Sequence, residues 1–304
     1  MKLKRFLLML LIFCAACLVT ADLYFIFFYQ PPAKKPQEYS PIVIGGTDYE
    51  EQHSEWEAQT NDPHIEAGSS IESDIYVRDI PIPLDSQMQD HLALFRSKAK
   101  LLNQEFPDSF LISMKGSEKT IALTFDDGPD LSSTAEVVEI LNNYKIPGTF
   151  FLLGQQMARY PETINLILEG GHVIANHSWS HIRPTEASLE ELMAEIDKTQ
   201  QEIAKYGVST KLFRPPYGLV DRTQMPALID AGYDVICWSI DSMDWYFDKA
   251  EQIVECVVSN AHPGAVVLMH SAGGRDNRKA AIEALPVIIE TLLDEGYRFV
   301  KLGE

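Results

Sequence analysis

The sequence predicts an α/β fold built on a parallel sheet, preceded by a membrane segment and an acidic linker. Three observations carry this expectation. After Lys119, seven short β-rich runs alternate with amphipathic helical patterns, the signature of strands joined by helical crossovers. A long apolar run stands behind three basic residues at the N-terminus. Between the two lies a strongly acidic stretch with little apolar patterning.

Lys2, Lys4 and Arg5 precede an apolar run from Phe6 to Tyr29, broken by Thr20 and Asp22. Twenty-four residues of helix span about 36 Å, enough for a hydrocarbon core of about 30 Å. Basic residues ahead of the run hold the N-terminus in the cytoplasm and send the rest outward. The alternative is a cleaved signal peptide with Val19-Thr20-Ala21 as the small-residue site. That cut leaves Leu23-Tyr24-Phe25-Ile26-Phe27-Phe28 as an apolar terminus in water, so an uncleaved anchor over residues 1–30 is expected. A lipoprotein-type cut before Cys17 is the least favoured, and all three readings export the protein. Cys14 and Cys17 fall inside the run, and Cys237 and Cys256 read as buried free thiols.

Residues 31–84 are expected to form an acidic flexible linker. From Pro36 to Leu92 there are 13 acidic residues and one basic residue, within a chain of 44 Asp+Glu, 25 Lys+Arg and net charge −19. Such a chain does not fit nucleic-acid binding, which needs a concentrated basic surface. Met88, Leu92, Phe95, Ala99, Leu102 and Phe106 then recur at steps of four and three, with Asp85 or Ser86 as cap and Pro107 as stop. This predicts a helix in residues 85–116 whose stripe packs on a neighbouring surface, or less favourably pairs in a short coiled coil.

The expected strands are Thr120–Phe125, Thr149–Leu153, His172–Ala175, Lys211–Arg214, Tyr233–Ser239, Ala265–His270 and Arg298–Lys301. Helical patterns cover Ser133–Asn143, Leu189–Tyr206, Thr223–Ala231, Ala250–Asn260 and Arg278–Glu295. Residues 117–304 have the length of a slightly short (β/α) barrel, and an open doubly wound sheet shares the pattern. No strand is followed by G-x-G-x-x-G or G-K-[ST], so a nucleotide partner has no support.

In either architecture the site lies at the carboxyl ends of the strands. Five ends carry reactive side chains: Asp126-Asp127-Gly128-Pro129, His177-Ser178-Trp179-Ser180-His181, Arg214-Pro215-Pro216-Tyr217-Gly218, Asp241-Ser242-Met243-Asp244-Trp245, and Leu268-Met269-His270. His177 and His181, four apart, can face one point, and a carboxylate from Asp126 or Asp127 completes a His₂–Asp set with open positions. One Asp of the pair can ligate a metal while the other accepts a proton. His172 reads as structural.

The ordered set TFDDGP, HSWSH, RPPYG, DSMDW, LMH closely resembles the five motifs of the NodB-homology polysaccharide deacetylases, carbohydrate esterase family 4. The resemblance runs from about Glu118 to the C-terminus. It implies a distorted (β/α)₇ barrel and a divalent metal, Zn²⁺ first and Co²⁺ or another transition metal otherwise. Carried over, it makes Asp126 the catalytic base and Asp127, His177 and His181 the metal ligands. Arg214 positions the base, and the Tyr217 backbone N–H serves the oxyanion. Asp244 with Trp245 fixes that Arg and lines the acetyl pocket with Pro216 and Leu268. His270 is the general acid, and Asp241 has no assigned role. No motif position is replaced, which argues against a binding-only relative. The implied activity is removal of N-acetyl groups from a GlcNAc-containing polysaccharide outside the cytoplasm, peptidoglycan foremost. An O-acetyl esterase, as on xylan, is the alternative enzyme, and a glycan-binding protein the alternative of another class.

Overall fold

The computed structural model describes residues 77–116 and 118–303. The expected membrane segment and residues 31–76 of the expected linker lie outside the described residues. Among the described residues, no helix is long and apolar enough to cross a membrane.

Nine short strands pair in parallel. They are β1 (Phe110–Leu111), β2 (Thr120–Asp126), β3 (Thr149–Leu152), β4 (Val173–Asn176), β5 (Leu212–Phe213), β6 (Asp234–Ile236), β7 (Ile240–Asp241), β8 (Ala265–His270) and β9 (Arg298–Phe299). Their order is β1-β6-β5-β4-β3-β2-β8-β7, with β9 also beside β2. The seven expected runs all appear. The Tyr233–Ser239 run is shorter, and β1 and β7 are additional, each too brief to show a period of two.

The sheet must curl. β6 and β7 stand second and last in the order, yet only residues 237–239 join them, which limits their separation to about 14 Å. Along that link the Cys237 N–H donates to the Leu111 carbonyl (2.7 Å) and the Ser239 N–H to the Val266 carbonyl (3.0 Å). The Met114 N–H reaches the Gly264 carbonyl at 2.8 Å. A curled half-barrel results, where a seven-stranded barrel was expected.

Helices cover the outside: α1 (Ser86–Glu105), α2 (Ser133–Tyr144), α3 (Gly154–Arg159), α4 (Pro161–Glu169), α5 (Leu189–Ala204), α6 (Met225–Asp230), α7 (Ala250–Val258) and α8 (Lys279–Asp294). α3 and α4 share the β3–β4 crossover and were not anticipated. One core layer joins β2, β3 and β8 to α2, α7 and α8 through Phe125, Phe150, Val267, Leu141, Ile253 and Ile288. Cys237 and Cys256 are buried free thiols, pushed up to about 12 by burial.

α1 packs on the sheet, not on a second copy. The Asp85 carboxylate accepts the Met88 N–H at 2.8 Å, and Met88, Leu92, Phe95, Ala99 and Leu102 are buried. Phe95 stacks on Trp238 with ring centroids 4.9 Å apart. The last residues of the expected linker also pack: Val77 is buried, Ile80, Ile82 and Leu84 lean on the core beside α1, and the Arg78 N–H donates to the Ser239 carbonyl at 2.8 Å. Their apolar alternation gives them a face to bury, so residues 77–84, expected in the linker, pack on the folded domain. Phe95→Ala should cost about 3–5 kcal/mol of stability by chemical denaturation, as for a buried aromatic truncated to a cavity. A loss under about 1 kcal/mol would contradict this packing.

Candidate active site

Strand register brings the reactive residues level. Asp126 pairs with His270 across β2 and β8, and Asp241 with Leu268 across β7 and β8. Leu152, Asn176 and Phe213 align across β3, β4 and β5, which places the following residues, His177 and Arg214, at the same rim. Strain gathers there: Asp127, Ser178, His181, Tyr217 and Met243 all take positive φ, between 57° and 72°. Non-glycine residues hold such angles where surrounding structure over-determines them. Gly128 permits the sharp exit from β2, since a Cβ there would stand 2.7 Å from Ser271 Oγ.

Arg214 is wholly buried and fixed by four acceptors. Its Nη1 donates to Asp126 Oδ1 at 2.7 Å and Thr124 Oγ1 at 2.8 Å. Its Nε and Nη2 donate to the Ile236 and Cys237 carbonyls, both at 3.1 Å. Burial raises the Asp126 pKa, and the Arg214 charge opposes that rise.

Asp127, His177 and His181 form a group whose ligating atoms lie within 4.8 Å of one another. His177 Nε2 stands 3.7 Å and His181 Nε2 3.4 Å from Asp127 Oδ1. That oxygen is buried with no hydrogen-bond partner. His177 Nδ1 contacts the Arg214 carbonyl at 2.8 Å, directing Nε2 toward the cluster. Burial pushes His177 down to about 3 and lowers His181 also. Two neutral imidazoles and an orphaned carboxylate oxygen are the donor set a divalent metal requires, so these residues fit one. Asp126 Oδ2 is also 3.7 Å from His177 Nε2, but Asp126 is already engaged by Arg214.

Asp244 sits elsewhere than expected. Its carboxylate hydrogen-bonds His270, whose Nδ1 lies 2.6 Å from Oδ1 and whose N–H donates to Oδ2 at 2.8 Å. It does not fix Arg214, whose acceptors come from β2, β6 and the residue after β6. Burial pulls the His270 pKa down, the Asp244 carboxylate pushes it up by charge and by hydrogen bond, and with Asp127 adding to that push the net direction is up. Arg278 was not anticipated. This buried guanidinium lies 3.6 Å from Asp127 Oδ2 and 3.9 Å from Asp244 Oδ1, with Nε donating to the Ala272 carbonyl at 3.0 Å. A Cβ on Gly274 would stand 2.7 Å from its Cζ.

A cavity of about 170 Å³ opens over this rim, lined among others by Asp126, His177, Tyr217, Trp245, Leu268 and His270. Pro216, expected in the lining, is buried within its turn, and the neighbouring Tyr217 lines the cavity. The Tyr217 ring lies edge-on to His181 at 4.7 Å. Asp241 accepts the Met243 N–H at 2.8 Å and Trp245 Nε1–H at 3.1 Å, and burial pushes it up to about 6. His91, Leu92 and Phe95 of α1 complete the wall.

A carboxylate on one strand and a carboxylate-held histidine on its neighbour form a pair able to take and give protons across one cavity, the equipment of an acid–base enzyme. A family model described as polysaccharide deacetylase matches residues 113–236. A peptidoglycan-N-acetylglucosamine deacetylase of Bacillus cereus is 37% identical over 190 residues, 62% of this chain and 88% of that protein. A peptidoglycan-N-acetylmuramic acid deacetylase of Bacillus subtilis is 34% identical over 230 residues, 72% of this chain and 47% of that protein. The crystal structure of a peptidoglycan N-acetylglucosamine deacetylase bound to a naphthyl-substituted N-hydroxybenzamide is 34% identical, with TM-score 0.61, covering 63% of this chain and 89% of that one. The chain belongs to the polysaccharide deacetylase family, the NodB-homology group of carbohydrate esterase family 4, and is a hydrolase of that family.

Asp244→Asn should move the His270 titration to lower pH. The carboxylate favours the charged imidazolium, so removing its charge releases the proton at lower pH. Imidazole NMR on the metal-free protein reads the shift, and an unmoved or raised midpoint would show that Asp244 does not set it.

Proposed function

We propose that the protein removes N-acetyl groups from N-acetylglucosamine residues of an extracytoplasmic polysaccharide, peptidoglycan, with a divalent cation as cofactor. The observation that carries this reading is the direct pairing of Asp126 with His270 in the β2–β8 register, beside the Asp127–His177–His181 cluster. Names of two relatives, one acting on the glucosamine and one on the muramic acid unit, support the polymer. Lys2, Lys4 and Arg5 ahead of the Phe6–Tyr29 run support a membrane-anchored enzyme facing outward.

Asp127, His177 and His181 would hold the metal, Zn²⁺ or in its place Co²⁺ or another transition metal. When bound, a divalent cation supplies Lewis-acid polarisation of the acetyl carbonyl. Asp126, held by Arg214, takes the proton of the attacking water through the carboxylate oxygen that Arg214 leaves free. The backbone at Tyr217, turned by its positive φ, offers its N–H to the developing oxyanion. An amine leaves poorly without a proton. His270 donates it, and Asp244 keeps the histidine oriented and favours its charged form. Trp245 and Leu268 shape the acetyl pocket.

The full chain should release acetate from GlcNAc oligomers or peptidoglycan, lose activity to a chelator and regain it with Zn²⁺ or Co²⁺. Asp126→Asn should lower turnover by about 10²–10⁴-fold, the usual reach of general-base catalysis, with metal content unchanged. Acetate from acetylated xylan alone would favour an O-acetyl esterase. Tight glycan binding with no acetate from any substrate would favour a binding protein.

A further inference from the structure

The segment between the two histidines is held from two sides: the Gly154 and Gln155 N–H groups of α3 donate to the Ser178 and Trp179 carbonyls at 3.0 and 3.1 Å, and its own N–H groups turn to one carboxylate oxygen. Glu195, on α5, accepts three hydrogen bonds at Oε2: from the Trp179 N–H at 3.0 Å, the Ser180 N–H at 2.7 Å and Ser180 Oγ–H at 3.0 Å. All three donors fall between His177 and His181. This segment needs an external hold, because Ser178 and His181 take φ of 67° and 64°, at a cost of roughly 1–3 kcal/mol each. Its inner side is tied separately: Asn176 Oδ1 accepts the Ser178 N–H at 2.9 Å, and Ser178 Oγ accepts the His181 N–H at 3.2 Å.

α5 is suited to serve as the brace. A reciprocal capping box between Ser188 and Glu191 starts it, and Leu192, Ile196 and Ile203 bury its inner face. Asn176 Nδ2 donates to the Ile196 carbonyl at 2.9 Å, locking the helix to the end of β4. Lys198, one turn along from Glu195, lies over the Trp179 ring at 3.9 Å from its centroid.

We propose that Glu195 is a positioning residue for the metal centre, prepaying the order that lets His177 and His181 meet a cation together with Asp127. The role rests on the metal reading above. Two effects of removing it act in the same direction. The histidine segment loses its pre-ordering, and a negative charge near a cation site is lost. A neutral amide replaces charge-assisted acceptance with weaker bonds, and outer partners of this kind typically change metal affinity by about 10–100-fold.

The test titrates the metal-free full chain with Zn²⁺ against a competing chromophoric chelator, for wild type, Glu195→Gln, Glu195→Ala and Ser180→Ala. Zn²⁺ affinity should fall about 10–100-fold in Glu195→Ala, less in Glu195→Gln, and least in Ser180→Ala. The Zn²⁺-induced rise in melting temperature should shrink in the same order. At saturating Zn²⁺ most of kcat should return, with KM for the glycan unchanged. If Glu195→Ala does not fold, the isosteric Glu195→Gln and the small Ser180→Ala carry the measurement. Wild-type affinity in the folded variants would overturn the role of Glu195 alone. A wild type that binds no Zn²⁺ would overturn the metal reading itself.

Discussion

One buried guanidinium holds the catalytic end of this fold together. Arg214 follows β5, yet it bonds to Thr124 and Asp126 on β2 and to carbonyls at the end of β6. In a flat sheet β5 and β2, three places apart, would stand about 14 Å from each other. A single planar group can bridge β2 and β6 only because the sheet curls back through residues 237–239. The same residue's carbonyl receives His177 Nδ1. The orientation of the proposed base and of one proposed metal ligand thus share one anchor. Removing either partner of such a buried pair typically costs about 3–5 kcal/mol, because the other charge is left uncompensated.

The electrostatics follow from crowding carboxylates at one rim. Asp126, Asp127, Asp241 and Asp244 are all buried there, and each environment differs. Asp126 is raised by burial against the pull of Arg214, whereas Asp244, despite burial, is lowered by His270 and Arg278. Asp241, with only backbone and indole donors at Oδ1, is pushed up to about 6. Neighbouring acids pushed in opposite directions suit a division of labour between a proton acceptor and a group that keeps a histidine charged. Arg278 touches both the proposed metal half and the proposed acid half, so it joins the two sets of charges.

Much of this was legible in the sequence, for a physical reason. A strand end reached after a hydrophobic run fixes where a side chain emerges, and that placed Asp126, Asp127, His177, His181, Arg214 and His270 on one rim. Pairing was less legible, because it depends on register and curl. Asp244 was expected against Arg214 and instead holds His270. Arg278 sits in Gly-Gly-Arg-Asp-Asn-Arg, which reads as a polar turn, and its tuck into the site depends on the open side of Gly274. Two-residue strands such as β1 and β7 carry no periodicity. The α1 stripe announced a packed face, but that its Leu92 and Phe95 would also line the cavity was set by the Trp238 stack, a contact 143 positions away.

The division of the Asp126–Asp127 pair is the centre of the account, and diffraction can test it directly. A crystal of the full chain grown with Zn²⁺, measured across the zinc absorption edge, should show one strong anomalous peak within bonding distance, about 2.0–2.2 Å, of Asp127, His177 and His181. Asp126 should remain on Arg214 and unbonded to the ion. A peak ligated by Asp126 in place of Asp127, or no peak among the three, would contradict it.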